Sequence, residues 1–492
     1  MDQKPLRTPL SRLDRACKYL EDKWFPCSSH ILNKIEELTR QDLNATNQGQ
    51  ILDLIRQDYS LTLFLYKELC SKEMTEIINN SNDLQDSSPI DVIEVCPPKQ
   101  LIDILKDSLP TLRLHSLESS KSYQLERLKE ALLALITTKT LCEQSTVDPD
   151  LGAEVSLFRQ LGYLLVAWNY PSIYQAASLQ VSNSQSLDDN LVKALGFSPS
   201  SLALSLAQKW GLSKIFKESA QDLDQDSILA PDETSSIAKS ITKLCEVGEK
   251  LARANNPGIY PTALHDWEDA KGALQAALGS EGLALIDRAM TRECEDLFIN
   301  SPFIFKAGSL LNLESHLLEL ESKRNAERNP YISSCGEDLK SDLLSLYELI
   351  VAGERAEKTV NILLRKILPH AGFHSSALFT LEPGTKRLAL QLKAGEIKLR
   401  QGQNLQDMPH KEIQDIVPLA FHSAEVLSQD INQKIHSSEL MPACLATFFG
   451  CSQRFGVFYV EVPSQNYQQD RDSFHERLKA LAFTLNDCLE LV

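Results

Sequence analysis

Chemistry in this chain would have to come from very few side chains. Of its 492 residues 10 are histidines, and from Ile31 to Leu264 the single one is His115. A metal-dependent phosphohydrolase needs neutral imidazoles and carboxylates around one or two cations, which lower the pKa of a bound water and polarise the phosphate. One imidazole in that span cannot build such a centre. The literal pair His265-Asp266, in "TALHDWEDA", follows Pro261 and precedes Glu268 and Asp269, the composition of a solvated helix start. His370, His374 and Cys444 fall near strand-like segments, where lone residues of these types are packed or exposed more often than they ligate. No catalytic residue, metal or cofactor is expected, and the cofactor-binding residues stay unknown.

The 11 cysteines run from Cys17 to Cys488 without a CxxC pair, which sets aside a zinc ribbon and a dithiol redox site. Their odd number also argues against a complete set of disulfides. They read as small apolar residues in a reducing compartment, and the chain as cytoplasmic. Fifty Lys and Arg against 67 Asp and Glu give a net charge of -17, which opposes a nucleic-acid partner that would need a basic surface. Apolar runs such as "ALLALI", Ala131 to Ile136, fall far short of the roughly 20 residues that span a bilayer, so no membrane partner is expected.

The elements that must position these residues are mostly helical. "ILDLIRQDYSLTLFLYKELC" carries Ile51, Leu54 and Ile55, then Leu61, Phe64, Leu65 and Leu69, with Asp58 opening a second helix. "NNSNDLQDSSP" reads as a polar loop with a Pro stop. "LFRQLGYLLVAWNYP", Leu157 to Pro171, has the rhythm of a buried helix ending in a tight Gly turn. "SPSSLALSLAQKWGLS" has Ser198 at an N-cap, Pro199 at the first helical position and Gly211 at a C-terminal cap, with Leu202, Leu206 and Trp210 on one face. Helices continue to about Asn300. Leu310, Leu313, Leu317 and Leu320 then make a short heptad-like seam in a linker helix. Beyond Ser341 the period changes. The helix "DLLSLYELIVAGERAEKTVNILLRKIL" leads into two hairpins, "SSALFTLEPGTKRLALQLKAG" and "CLATFFGCSQRFGVFYVEVP", and a closing helix. Phe448, Phe449, Phe455, Phe458 and Tyr459 read as strand residues with one face in the core.

Three of these segments, in order, resemble the HDOD domain, the all-helical HD-related output domain of bacterial signalling proteins. "LIRQDYSLTLFLYKELC" is similar to the family's early Ile and Asp-Pro motif, with Asp58 kept and Tyr59 in place of Pro. "SLFRQLGYLLVAWNYP" is similar to its Gly-Leu-Leu-His-Asp-Ile-Gly stretch. Leu161 and Gly162 are retained, while Ser156 stands on the first Gly, Arg159 on the His and Gln160 on the Asp. In "LGFSPSSLALSLAQKWGLS", Gly196, Trp210, Gly211 and Leu212 fit, while Pro199 takes a His place and Ser213 a Pro place. Arg159 cannot ligate a cation and Pro199 has no side-chain donor atom, so the resemblance implies an HD frame without its metal chemistry. The C-terminal part resembles a GAF domain, a small sensory α/β fold.

The expected architecture is therefore multidomain: an HDOD-like all-α domain over 1–300, a helical linker over 301–340, and a GAF-like α/β domain with an antiparallel sheet over 341–492. The resemblance implies a non-enzymatic regulatory protein of bacterial signal transduction. Its helical domain would bind a signalling protein, and its GAF-like domain would sense a small ligand or mediate self-association as a homodimer. Two alternatives are a ligand-gated switch centred on the GAF-like pocket and a metal-dependent phosphohydrolase with non-standard ligands.

Overall fold

The computed structural model describes residues 11–40, 45–71, 88–182, 185–220, 236–297, 310–382, 384, 387–397, 403–404, 416–429, 442–451 and 453–491. The chain divides into two compact units, Met1–Leu317 and Leu318–Val492. The first is all-α among the described residues apart from one isolated bridge between Ser182 and Gln185; the second is α/β. No helix among the described residues is long and apolar enough to cross a membrane.

Seven helices frame the interior of the first unit: α1 (Tyr59–Ser71), α2 (Ser122–Cys142), α3 (Pro149–Asn169), α4 (Leu187–Leu195), α5 (Pro199–Trp210), α6 (Ser236–Ala254) and α7 (Ala263–Leu278). The apolar residues of α2 and α3 run all the way round, as in helices buried on every side. Helix α3 starts where Asp148 accepts the Leu151 N–H at 2.7 Å with Pro149 behind it, and α1 starts where Asp58 accepts the Leu61 N–H at 3.1 Å. The other Asp58 oxygen takes the Ser28 N–H at 2.7 Å, so the new helix expected at Asp58 is also tied to the N-terminal segment. Ser198 and Gly211 cap α5 as their types suggest, Gly211 with a φ of 70°.

Two glycines set how closely these helices cross. A Cβ on Gly162 would lie 1.8 Å from the Pro199 carbonyl oxygen, and one on Gly248 would lie 2.4 Å from that of Ala134. Gly162 therefore corrects the expected turn: it sits inside α3, which continues to Asn169, and is glycine because α5 crosses there. Pro89 likewise begins a helix, Pro89–Glu94, behind a Ser88 capping box, where a stop was expected. The polar loop before it and the boundary near Asn300 lie outside the described residues.

In the second unit a six-stranded antiparallel sheet has the order β3-β2-β1-β6-β5-β4. Its strands are β1 (Ser375–Leu381), β2 (Arg387–Ala394), β3 (Gln403–Asn404), β4 (Leu427–Gln429), β5 (Ala443–Phe449) and β6 (Gly456–Val462). The period-2 alternation sends Leu378, Leu445, Phe458 and Val460 to one face. There they pack with α8 (Glu337–Val351) and α9 (Arg471–Cys488). Ala377, Phe379, Cys444, Ala446 and Tyr459 take the other face, under the Ile416–His422 helix. The single long helix expected before the sheet is two: Gly353, at a φ of 74°, ends the first after Val351, and a second begins at Ala356. Phe455 also departs from expectation, being 46% exposed just outside β6. Of the leucine seam, Leu310, Leu313 and Leu317 are buried and Leu320 is half-buried.

Candidate functional site

Arg159 and Gln160 do come together at one place, and it is a buried ion-pair network. Arg159 is 1% exposed, and its Nε and Nη2 donate to the two oxygens of Glu249 at 2.7 and 3.0 Å. Its Nη1 donates to the Ser219 carbonyl. Gln160 Nε2 donates to Glu249 at 3.2 Å, while its Oε1 accepts from Arg127 Nη2 at 2.6 Å. Arg127 in turn pairs with Glu130 at 2.7 Å and donates to the Tyr260 hydroxyl at 3.1 Å. Tyr260 and Asn256 also donate to Glu130.

The helix crossings put these groups in reach. Glu249 follows Gly248, so the close approach of α6 to α2 carries its carboxylate over α3 and onto Arg159. A bidentate Arg–carboxylate pair is geometrically specific, and its burial makes each partner dependent on the other. Burial works against the Arg127 cation, but Glu130 and the neighbouring tyrosines outweigh it and push the pKa above its ordinary value. Burial raises the Glu130 carboxyl, against which Arg127, Asn256 and Tyr260 act to hold it ionised. Tyr163 and Tyr260 are pushed well above ordinary phenols by burial and then by Asp188 and Glu130 respectively.

Beside the network lies a polar cavity of about 120 Å³, lined by Arg127, Arg159, Gln160 and Glu249 and edged by Asp188 and Arg253. Guanidinium groups cannot ligate a metal, the Gln160 amide oxygen is taken by Arg127, and two of the three carboxylates, Glu130 and Glu249, are already bridged to arginines, which leaves Asp188 as a lone carboxylate. Among the described residues no group of three or more His, Cys, Asp or Glu side chains is placed to hold a metal ion. Pro199 stands apart from this cavity; it is the buried first residue of α5, with its carbonyl against Gly162.

The other candidates separate. His265 is exposed, but Asp266 corrects the solvated reading: it is 5% exposed, takes Arg253 Nη2 at 2.8 Å and Nε at 3.2 Å, and accepts from Thr262. In the α/β unit His370 is exposed and bonds Asp342 at 2.7 Å. Cys444 is buried, within 2.9 Å of the Tyr459 hydroxyl, which bonds Glu461 at 2.9 Å; the His374 ring lies 3.9 Å from Glu461. Burial raises both the Cys444 thiol and the Tyr459 phenol. Sequence reasoning missed Glu249, Arg127 and Glu130. Arg127 and Glu130 share their helix with the ionic residues Glu126, Lys129 and Lys139, so their type does not single them out, and nothing local marks Glu249.

No family model matches the chain, and no curated protein matches it. Among solved structures it is similar to the MmoQ response regulator of Methylococcus capsulatus str. Bath, at 17% identity and a TM-score of 0.39, over 54% of this chain and 98% of that one. A fragment of the same protein, residues 20–298, matches at 16% identity and a TM-score of 0.36, over 50% of this chain and 90% of that one.

Proposed function

We propose that this chain is a non-catalytic regulatory protein of bacterial signal transduction, in which the helical unit is an HDOD-like interaction module and the α/β unit a GAF-like sensor or self-association module. The observation that supports it is the fate of the two positions where an HD hydrolase would keep its doublet. Arg159 and Gln160 both bind Glu249, so a cation's place is taken by a guanidinium that already has its counter-charge. Such a network locks three helices together and leaves the outer surface of the unit to recognise a partner.

Elemental analysis of the purified full chain, with phosphomonoester and phosphodiester hydrolysis assays in Mn²⁺, Mg²⁺ and Zn²⁺, tests the reading. Substoichiometric metal and no turnover above the R159A background are expected. Stoichiometric metal with hydrolysis that R159A abolishes overturns it.

A further inference from the structure

The cavity beside Arg159 is more than the footprint of a lost metal site, because its polar groups are not all used. Arg159 is matched to Glu249, Arg127 to Glu130, and Arg253 to Asp266. Two groups remain. Arg127, 4% exposed, has an Nε with no hydrogen-bond partner among the described residues. Asp188 has no cation within salt-bridge distance among them and receives only the Tyr163 hydroxyl. A buried N–H without an acceptor is costly, and an unmatched carboxylate at a cavity rim favours a cation.

Both leftovers lie against one aromatic side chain, that of Tyr163. The Arg127 guanidinium carbon sits 5.2 Å from the centre of the Tyr163 ring, and the Tyr163 hydroxyl bonds Asp188. The cavity that Arg127 and Asp188 both line, about 120 Å³, would hold roughly four waters, or a ligand of about five or six heavy atoms. Three guanidiniums and three carboxylates share its wall, so a simple anion such as phosphate meets as much repulsion as attraction.

We propose that this cavity binds a small free α-amino acid, its carboxylate accepting from Arg127 Nε and its ammonium paired with Asp188. Exposed Asp188 and the one-third-exposed Arg253 side chain form the entrance, while Arg127, Glu130, Arg159 and Glu249 form the buried floor. Binding involves no reaction, so the assignment is independent of the non-catalytic reading; metal content and hydrolysis test that one alone.

The test is isothermal titration of the full chain with each proteinogenic amino acid, with acetate, methylamine and inorganic phosphate as controls that carry charge of one sign only. Saturable binding of glycine, alanine or both is expected, with the controls at least ~10-fold weaker. Asp188→Asn removes the cation partner at an exposed helix N-terminus and should weaken that binding by ~10-fold or more. Ala252→Leu, in the cavity wall, should abolish it by filling the space, and if that variant does not fold, the Asp188→Asn comparison decides. No saturable binding up to ~10 mM overturns the proposal, as does binding that Asp188→Asn leaves unchanged or that methylamine alone reproduces.

Discussion

Arg159 is a cation buried at 1% exposure, and everything about its surroundings follows from the cost of leaving such a charge unmatched. Arg159→Ala strands Glu249 with a single amide donor, and we expect a loss of ~3–5 kcal/mol. The double variant Arg159→Met with Glu249→Leu should recover most of it, since paired apolar residues of similar size need no counter-charge. Urea titration followed by tryptophan fluorescence measures both, because Trp24, Trp168, Trp210 and Trp267 all belong to the helical unit. Glu154, about one and a half turns earlier on α3, is the opposite case. It is 2% exposed, one of its oxygens has no partner among the described residues, and its pKa is raised well above normal, by burial first and then by Asp150, Asp91 and Asp148 against Lys139. A raised folded value means the fold is most stable below the unfolded pKa of ~4.3 and loses stability as pH climbs through the folded one. Glu154→Gln cannot ionise, so it should exceed the wild type by ~1–3 kcal/mol near neutral pH. The gain should vanish near pH ~4, which melting curves across pH will show. The sequence makes the absence of metal ligands at Arg159 and Gln160 readable. It does not make Glu249 readable, because that partner lies 90 positions away and is delivered by a helix crossing.

At the scale of elements, the helical unit depends on glycines where helices approach. Gly248→Ala would put a methyl 2.4 Å from the Ala134 carbonyl, which must push α6 from α2. A loss of ~1–3 kcal/mol is expected, together with a weaker Arg159–Glu249 pair, so that the further cost of Arg159→Ala is smaller in this background. Gly272, inside α7 with nothing within 4 Å of a built Cβ, is the control. Its replacement by Ala should stabilise by up to ~1 kcal/mol through helix propensity alone. Denaturation midpoints that fall equally for both variants would sink this account. The contrast also explains which elements could be read in advance. Ser198, whose hydroxyl accepts the Ser201 N–H, and Gly211, through its own backbone, act on neighbours in sequence and are legible locally, and the β1–β2 and β5–β6 hairpins follow from their alternating patterns. Gly162 and Gly353 look alike in sequence, yet one is a crossing point inside a helix and the other a true break, because only the first has a neighbouring backbone to admit. Strands β3 and β4, two and three residues long, leave too little pattern to recognise.

For the molecule as a whole, cysteine burial makes a simple prediction. All 11 thiols are free, and only Cys451, in the turn between β5 and β6, is exposed. Burial pushes the thiols of Cys70, Cys142, Cys294 and Cys488 up to about 12, far from the thiolate form that reacts. A thiol reagent should therefore titrate one group rapidly in the native chain and the other ten only on unfolding; several fast equivalents would show that the cores open readily. The same distribution supplies an optical ruler without mutagenesis. The fluorescent donors sit wholly in one unit and the single attachment point for an acceptor dye in the other, so energy transfer from the tryptophans to a label on Cys451 would report any change in the separation of the two units when a ligand or partner is added.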